Sequence, residues 1–336
     1  VSQAPFSIGI LGASGYAGQV LEALLLQHPA FSVQTFAGHA PSDLPQTSLD
    51  ALAACDAVCL ATPGEAALQW VPALVELGVG KILDLSDAHR RHHAFHYAIP
   101  ELFGAPAQGQ RLVANPGCYP TATLLALVPL LRAGVIAAEH IAVLGASGAS
   151  GAGKTPNDVL HFCHLAENTF PYKVGEHRHI PEIEHHLGAP ISFVTQILPI
   201  VRGMLVTAFV RPTKGRDAIA AALQSAYAHT PYVSVLPAPD RALGIRNVVG
   251  THQAFLAIGP SERSGLVPVF ASIDNLMRGA SSQALHTLNL WFGLPAHLGL
   301  PAPQQPCDGA PRSYATLTSV LANAGANLAS TSSETH

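Results

Sequence analysis

Charge is scarce in this chain. Its 336 residues hold 17 Lys and Arg against 21 Asp and Glu, a formal net charge of −4. A surface so poor in cations has no electrostatic footprint for nucleic acid. No apolar run reaches the length that spans a bilayer, so no membrane segment is expected. Cysteine is sparse too: five residues, an odd count, with no CxxC pair. Cys55 and Cys59 are four apart and Cys307 stands alone near the end. That excludes a disulfide framework and points to a reducing, cytoplasmic setting. The opening VSQAPFSIGILGASG has no basic segment before its apolar run, so a secretory signal is not expected there. Hydrophobic residues are plentiful, at 49%. They imply a large interior and a buried subunit interface. The length favours two domains.

The first third alternates between strand and helix signals. Ser7–Leu11, Phe31–Ala37, Ala57–Ala61 and Lys81–Leu85 read as buried strands. Val20–Gln27 and Glu65–Leu77 read as helices between them. This pattern predicts an α/β fold with a doubly wound, Rossmann-type parallel sheet. After residue 131 the pattern changes. Ile141–Leu144, Ile191–Leu198, Leu205–Arg211, Asn247–Thr251, Ala254–Ile258 and Leu266–Ile273 read as strands, several without helices between. They predict an α+β second domain on a mixed sheet. Gly279–Phe292 reads as a final helix. Beyond Pro301 the chain is small, polar and Pro-rich, and reads as a loosely attached tail.

Asn115-Pro116-Gly117-Cys118-Tyr119-Pro120 is the most informative stretch. A tight turn delivers one thiol to the mouth of the helix Tyr119–Leu131. Unpaired backbone N–H groups and the helix dipole there favour the thiolate, the reactive form of cysteine. Cys118 is therefore the candidate nucleophile. Cys55, Cys59 and Cys163 are expected to be buried structural cysteines.

Gly12, Gly15 and Gly18 form GxxGxxG between a strand and a helix. That order suits a pyrophosphate resting on the helix N-terminus. The second strand ends at Ala37-Gly38-His39, without the Asp or Glu that would hold an NAD ribose hydroxyl. This leans towards NADP, with His39 the nearest polar candidate for its 2′-phosphate. Glu176, His177, Arg178, His179 and Glu182 fall within seven residues. A thiol enzyme needs a proton acceptor near neutral pH, and His177 or His179 suits that; both share a face if the segment is extended. His89, His92, His93 and His96, with the pair His161 and His164, raise the question of metal. No closed ligand set stands out, so none is expected. His185 and His186 read as surface residues.

Taken together, these residues resemble the N-acetyl-gamma-glutamyl-phosphate reductase family. The matching segments are GASGYAG at 12–18, DLSDAHR at 84–90, YAIPEL at 97–102, VANPGCYPTATLLALVP at 113–129, GASGAGK at 148–154, YKVGEHRHIPEI at 172–183, RGM at 202–204 and DNLMRGASSQALHTLN at 274–289. The chain departs from the family pattern at Ser282, where glycine is favoured, and at His252, where Asn is favoured after Thr251. The resemblance implies residues 1–117 as an NADP-binding domain completed by helix 279–300. It implies 118–278 as a catalytic and dimerisation domain, followed by the tail 301–336. NADP would contact Gly12, Ala13, Ser14, Gly15, Tyr16, Gly18, His39, Ser147 and Gly148. A small acyl phosphate would contact Arg90, Asn115, Lys154, Arg178, Glu182 and Arg202. Cys118 would attack the acyl carbon, with His179 as acid–base and His177 as second choice, and the thioester would accept a hydride. A homo-oligomer, dimer or tetramer, is implied.

Three alternatives follow from the same architecture. An aspartyl phosphate reductase is disfavoured by the Tyr-Pro-Thr after Cys118. A reductase of a carrier-bound aminoadipyl phosphate would want a more basic surface. A non-catalytic nucleotide-binding regulator is hard to reconcile with an intact Cys118 and His-Arg-His segment.

Overall fold

The computed structural model describes residues 5–303. The strands of the first third are β1 (Phe6–Leu11), β2 (Phe31–Phe36), β3 (Ala57–Leu60), β4 (Ile82–Asp84), β5 (His96–Tyr97) and β6 (Leu112–Ala114). They lie in the order β2-β1-β3-β4-β6-β5, all parallel. The central strands β1, β3 and β4 are almost wholly buried, as inner parallel strands are, while the edge strand β2 is partly exposed. The chain leaves β1 for β2 on one side and returns to β3 on the other. This switch opens a crevice at the carboxyl ends of β1 and β3, where ligands of such sheets bind.

The helices of this part are α1 (Tyr16–Leu26), α2 (Gln46–Ala53), α3 (Gly64–Glu76) and the single turn α4 (Pro100–Phe103). Trp70 and Leu74 of α3 and Leu52 of α2 pack on one face of the sheet. Leu21, Leu24 and Leu25 of α1 pack on the other, with Leu285, Leu288 and Trp291 from the end of the chain.

The second sheet is mixed. Its strands are β7 (Ile141–Gly148), β8 (Phe170–Tyr172), β9 (Ile191–Leu198), β10 (Met204–Val210), β11 (Val233–Val235), β12 (Ala254–Ile258) and β13 (Val267–Ile273). The order is β11-β12-β13-β10-β7-β9-β8, with β7/β9 and β11/β12 parallel. Helix α5 (Cys118–Arg132) covers one face, its buried residues running almost unbroken from Tyr119 to Leu130. Against it pack α7 (Ile180–Leu187) and α8 (Arg216–Tyr227), and the single turn α6 (Phe162–Leu165) precedes β8. A π-turn at Met277–Ser281 leads into α9 (Ser282–Trp291).

Three readings of the sequence need correction. Asn247–Thr251 is not a strand: Ile245–Asn247 is a 3₁₀ turn. Gly250 then takes φ +76°, and its N–H goes to Asp274 Oδ2 at 2.8 Å rather than to a neighbouring strand. Cys163 is exposed on α6, whereas Cys55 and Cys59 are buried. His186 is half-buried, its ring stacked on Tyr97 at 3.5 Å and its Nε2 2.7 Å from the Arg90 carbonyl. Cys307 and the tail from 304 onward lie outside the described residues.

Candidate active site

Gly12 and Gly18 are glycines for reasons internal to the fold. Gly12 has φ +86°, and a Cβ there would meet the Ala61 carbonyl at 2.6 Å. A Cβ on Gly18 would meet the Gly12 carbonyl at 2.3 Å. Gly15 is different. Its φ is −75°, and an added Cβ would make only ordinary contacts, the nearest at 3.6 Å. The fold does not require glycine at this position, so the missing side chain leaves the backbone open to close approach by a ligand. Helix α1 also starts without a side-chain cap or an acidic residue in its first turn. Its N–H groups are thus left to an anion. The turn fits a dinucleotide pyrophosphate on both counts. Gly18→Ala is therefore expected to destabilise the fold by about 1–3 kcal/mol. Gly15→Ala should fold within about 1 kcal/mol of the parent yet bind NADPH about tenfold more weakly. Thermal melts and a fluorescence titration separate the two; equal effects of both substitutions would refute the assignment.

Cys118 is the first residue of α5, with Gly117 as its N-cap. The turn before it is clamped from behind. Glu182 Oε1 accepts the Gly117 N–H at 2.9 Å and the Tyr97 hydroxyl at 2.7 Å. Glu182 Oε2 accepts from Arg90 Nη1 at 3.0 Å. Arg90 also donates to the carbonyls of Asn115 at 2.9 Å and Leu85 at 2.7 Å. Both side chains are buried. The polar atoms of Arg90 and Glu182, which the resemblance assigned to substrate, are here engaged in fixing the nucleophile's turn. Asn115 lies in the same layer. Its Nδ2 donates to the Ala280 carbonyl at 3.1 Å, and its Oδ1 is buried without a partner.

In front of the turn is a cavity. Cys118, Ser147, Gly148, His177, Arg178 and His179 all line it, together with Tyr172 and Lys173. His179 caps the start of α7 in a helical conformation. The segment is thus a turn and not the extended run that would align two alternate residues. The two imidazoles still converge, 4.7 Å apart, because the His179 N–H donates to His177 Nδ1 at 3.1 Å. A Cβ on Gly117 would meet His179 Nε2 at 2.5 Å, so this ring packs directly on the turn that carries the thiol. His179 Nδ1 is buried without a partner.

The electrostatics differ from the sequence expectation. Burial pushes the Cys118 thiol up to about 11, against the Tyr119 backbone N–H and the Arg90 and Arg178 cations that pull it down. The helix N-terminus alone does not make a resting thiolate. Burial, with the charges of Arg90, His177, Arg178 and Lys173, holds His179 well below the usual imidazole range. His177 is held at about 4 by burial and by Arg178 and Lys173. At neutral pH the site therefore holds a thiol beside two uncharged imidazoles. Such a set can move a proton from sulfur to nitrogen when an electrophile arrives.

Lys173 was not legible as a site residue. Its φ of +48°, followed by φ +76° at Gly175, belongs to the loop that carries it along the cavity wall. Arg178 is exposed and lies 3.6 Å from Asp87. The other candidates stand elsewhere. Lys154 donates to the Ser14 carbonyl at 3.1 Å and so touches the glycine-rich turn. The Arg202 backbone N lies behind Gly148, 2.8 Å from where a Cβ would sit. His39 is exposed in the loop after β2, its N–H held by Asp43 at 2.8 Å. Among the clustered histidines, His89 pairs with Asp84 at 2.7 Å and stacks on Phe95. No three metal-ligating side chains converge among the described residues.

Solved structures share this architecture. The aspartate semialdehyde dehydrogenase II of Vibrio cholerae, complexed with ASA, superposes with a TM-score of 0.70 at 18% identity, covering 87% of this chain and 99% of that one. The Candida albicans aspartate semialdehyde dehydrogenase with NADP gives 0.61 at 16%, covering 85% and 98%. At such identities the likeness is one of fold. The family model for the semialdehyde dehydrogenase NAD binding domain matches residues 7–109, and that for the dimerisation domain matches 118–275. Curated relatives are much nearer in sequence. N-acetyl-gamma-glutamyl-phosphate reductase of Campylobacter curvus is 38% identical over 90% of this chain and 99% of its own length. That of Desulforapulum autotrophicum is 36% identical over 87% and 97%. The fold alone is common to reductases of different acyl phosphates, and sequence identity along nearly the whole length separates them: the chain belongs to the N-acetyl-gamma-glutamyl-phosphate reductase family.

Proposed function

We propose that the protein reduces N-acetyl-L-glutamyl 5-phosphate to N-acetyl-L-glutamate 5-semialdehyde and phosphate with NADPH, a cytoplasmic step of arginine biosynthesis. One observation carries this reading. Cys118 and His179, whose Nδ1 has no partner, line one cavity with two cations, in a chain 38% identical to a reductase of that name.

His179 takes the Cys118 proton as sulfur attacks the acyl carbon. The C–S bond forms, the C–O bond to phosphorus breaks, and phosphate leaves with the electron pair. Backbone N–H groups at the start of α5 meet the developing oxyanion. Lys173 and Arg178 attract the phosphate, and Ser147 is a further contact for it. His177 orients the substrate and holds the His179 backbone. When bound along Gly12–Gly18, NADPH supplies the hydride that reduces the thioester. As the carbonyl re-forms, Cys118 departs and recovers its proton from His179.

NADPH is preferred because no Asp or Glu stands at the end of β2, within residues 31–40, to hold a ribose hydroxyl. The nearest, Asp43, accepts the N–H groups of His39 and Ala40 at 2.8 and 2.9 Å. The protein is read as a homo-oligomer joined through the second sheet, whose outer face leaves Leu144 exposed. Residues 1–117 with 279–300 form the cofactor domain, and 118–278 the catalytic one.

The reverse assay tests this: aldehyde, phosphate and NADP⁺, following NADPH. N-acetyl-glutamate semialdehyde should exceed aspartate semialdehyde in kcat/KM by about 10²-fold or more, and NADP⁺ should exceed NAD⁺. Equal turnover of the two aldehydes would overturn the substrate, and equal use of the two cofactors would overturn the NADPH preference.

A further inference from the structure

A second pocket lies where α4 and α9 meet the turn before β11. Pro100, Glu101, Pro231, Tyr232, His286 and Ala296 line it, and none of these lines the Cys118 cavity. Its floor is a buried polar network. Arg278, with no exposed surface, donates to Glu101 Oε1 at 2.6 Å and to His252 Nε2. His252 Nδ1 is 2.8 Å from Ser282 Oγ, and its Nε2 is 3.2 Å from His286 Nδ1.

The network sets the tautomers. Arginine only donates, so His252 Nε2 carries the lone pair and Nδ1–H donates to Ser282. The contact with His286 then requires its Nδ1–H to donate, which leaves the lone pair on His286 Nε2. Burial, then Arg278, keeps His252 uncharged, and burial outweighs Glu101 to hold His286 at about 4. Two further buried atoms have no partner: Glu101 Oε2 and the Tyr232 hydroxyl. The Glu101 side chain is 7% exposed and Tyr232 3%. Burial opposes the Glu101 charge, but Arg278 and His286 outweigh it and hold the carboxyl below its usual range. Buried acceptors left unpaired are costly. No Lys or Arg lines the pocket, and His229 and His297, which also line it, make no hydrogen bond to either atom.

We propose that this pocket is a second ligand site, for a small organic cation with N–H donors. An alkylguanidinium or alkylammonium group would donate to Glu101 Oε2, His286 Nε2 and the Tyr232 hydroxyl oxygen. The site does not depend on the proposed reaction.

The test is calorimetric titration of the full-length protein with methylguanidinium, methylammonium and tetramethylammonium. One or both of the first two should bind saturably in the millimolar range. Whichever binds more tightly identifies the donor group. Tetramethylammonium, which has no N–H, should bind about tenfold more weakly than the better donor. Ala296→Leu, which fills the pocket, should abolish binding, and Tyr232→Phe should weaken it several-fold. Iodoacetamide modification of Cys118 should leave it unchanged. The proposal fails if neither donor cation binds, if tetramethylammonium binds equally well, or if Cys118 modification abolishes binding. If Ala296→Leu does not fold, the tetramethylammonium and Tyr232→Phe arms decide; if it folds and still binds, the pocket is wrong.

Discussion

Cys118→Ser is expected to lose turnover by about 10⁴-fold or more while keeping NADPH binding. The cause lies in the acidity of the attacking group. A serine hydroxyl is a far weaker acid than a thiol, and this pocket already pushes the thiol up to about 11 by burial. The same burial acts on a serine, and the Tyr119 N–H, Arg90 and Arg178 do not make up the difference. His179, held well below the usual imidazole range by burial, is a weaker base than an ordinary histidine, and an alcohol demands more of it than a thiol does. The proposed NADPH site, the Gly12–Gly18 turn and the start of α1, is one the substitution does not touch. Steady-state rates and a fluorescence titration on one preparation measure both quantities. If Cys118→Ser works at a rate close to the parent's, no covalent thioester lies on the path.

What the sequence could reveal about this site followed from whether the signal was local. Cys118 was legible because Pro116, Gly117 and the apolar helix after it are contiguous. The turn and the helix start need no knowledge of the rest of the chain. The glycines at 12, 15 and 18 were legible for the same reason. The thiol's actual acidity was not. It is set by burial under α7 and by Arg90 and Arg178, 28 and 60 residues away in sequence. Glu182 shows the limit most clearly. Its place in the His-Arg-His segment suggested contact with substrate. Only the fold shows that from α7 it reaches the Gly117 N–H and the Tyr97 hydroxyl. His186 misled in the same way, because its burial comes from Tyr97, far from it in sequence. Strands β5, β6, β8 and β11, of two or three residues each, escaped the sequence reading because they are too brief to show a period of two.

His179→Asn is expected to slow the chemical step by about 10²–10⁴-fold, the usual scale for an acid–base group. His179 packs on Gly117, lines the thiol's cavity and has an unpartnered Nδ1. Its pH behaviour gives a second readout. Burial, then the cations around it, hold it well below the usual imidazole range, so it is unprotonated and competent throughout the neutral region. The acid limb of kcat/KM should therefore fall below pH 6.5, the ordinary histidine value, and His179→Asn should remove that limb. Iodoacetamide should also label Cys118 more slowly in the variant near neutral pH, since the sulfur has lost its proton acceptor. His177→Asn should behave differently. An asparagine oxygen can still accept the His179 N–H, which His177 Nδ1 accepts at 3.1 Å. The loop should hold, and the loss should appear mainly in KM. Single-turnover rates for the two variants separate the roles. A large loss of the hydride step in His177→Asn with a mere rise in KM for His179→Asn would reverse the assignment. If neither variant slows chemistry, the proton acceptor for Cys118 is a group outside this pair.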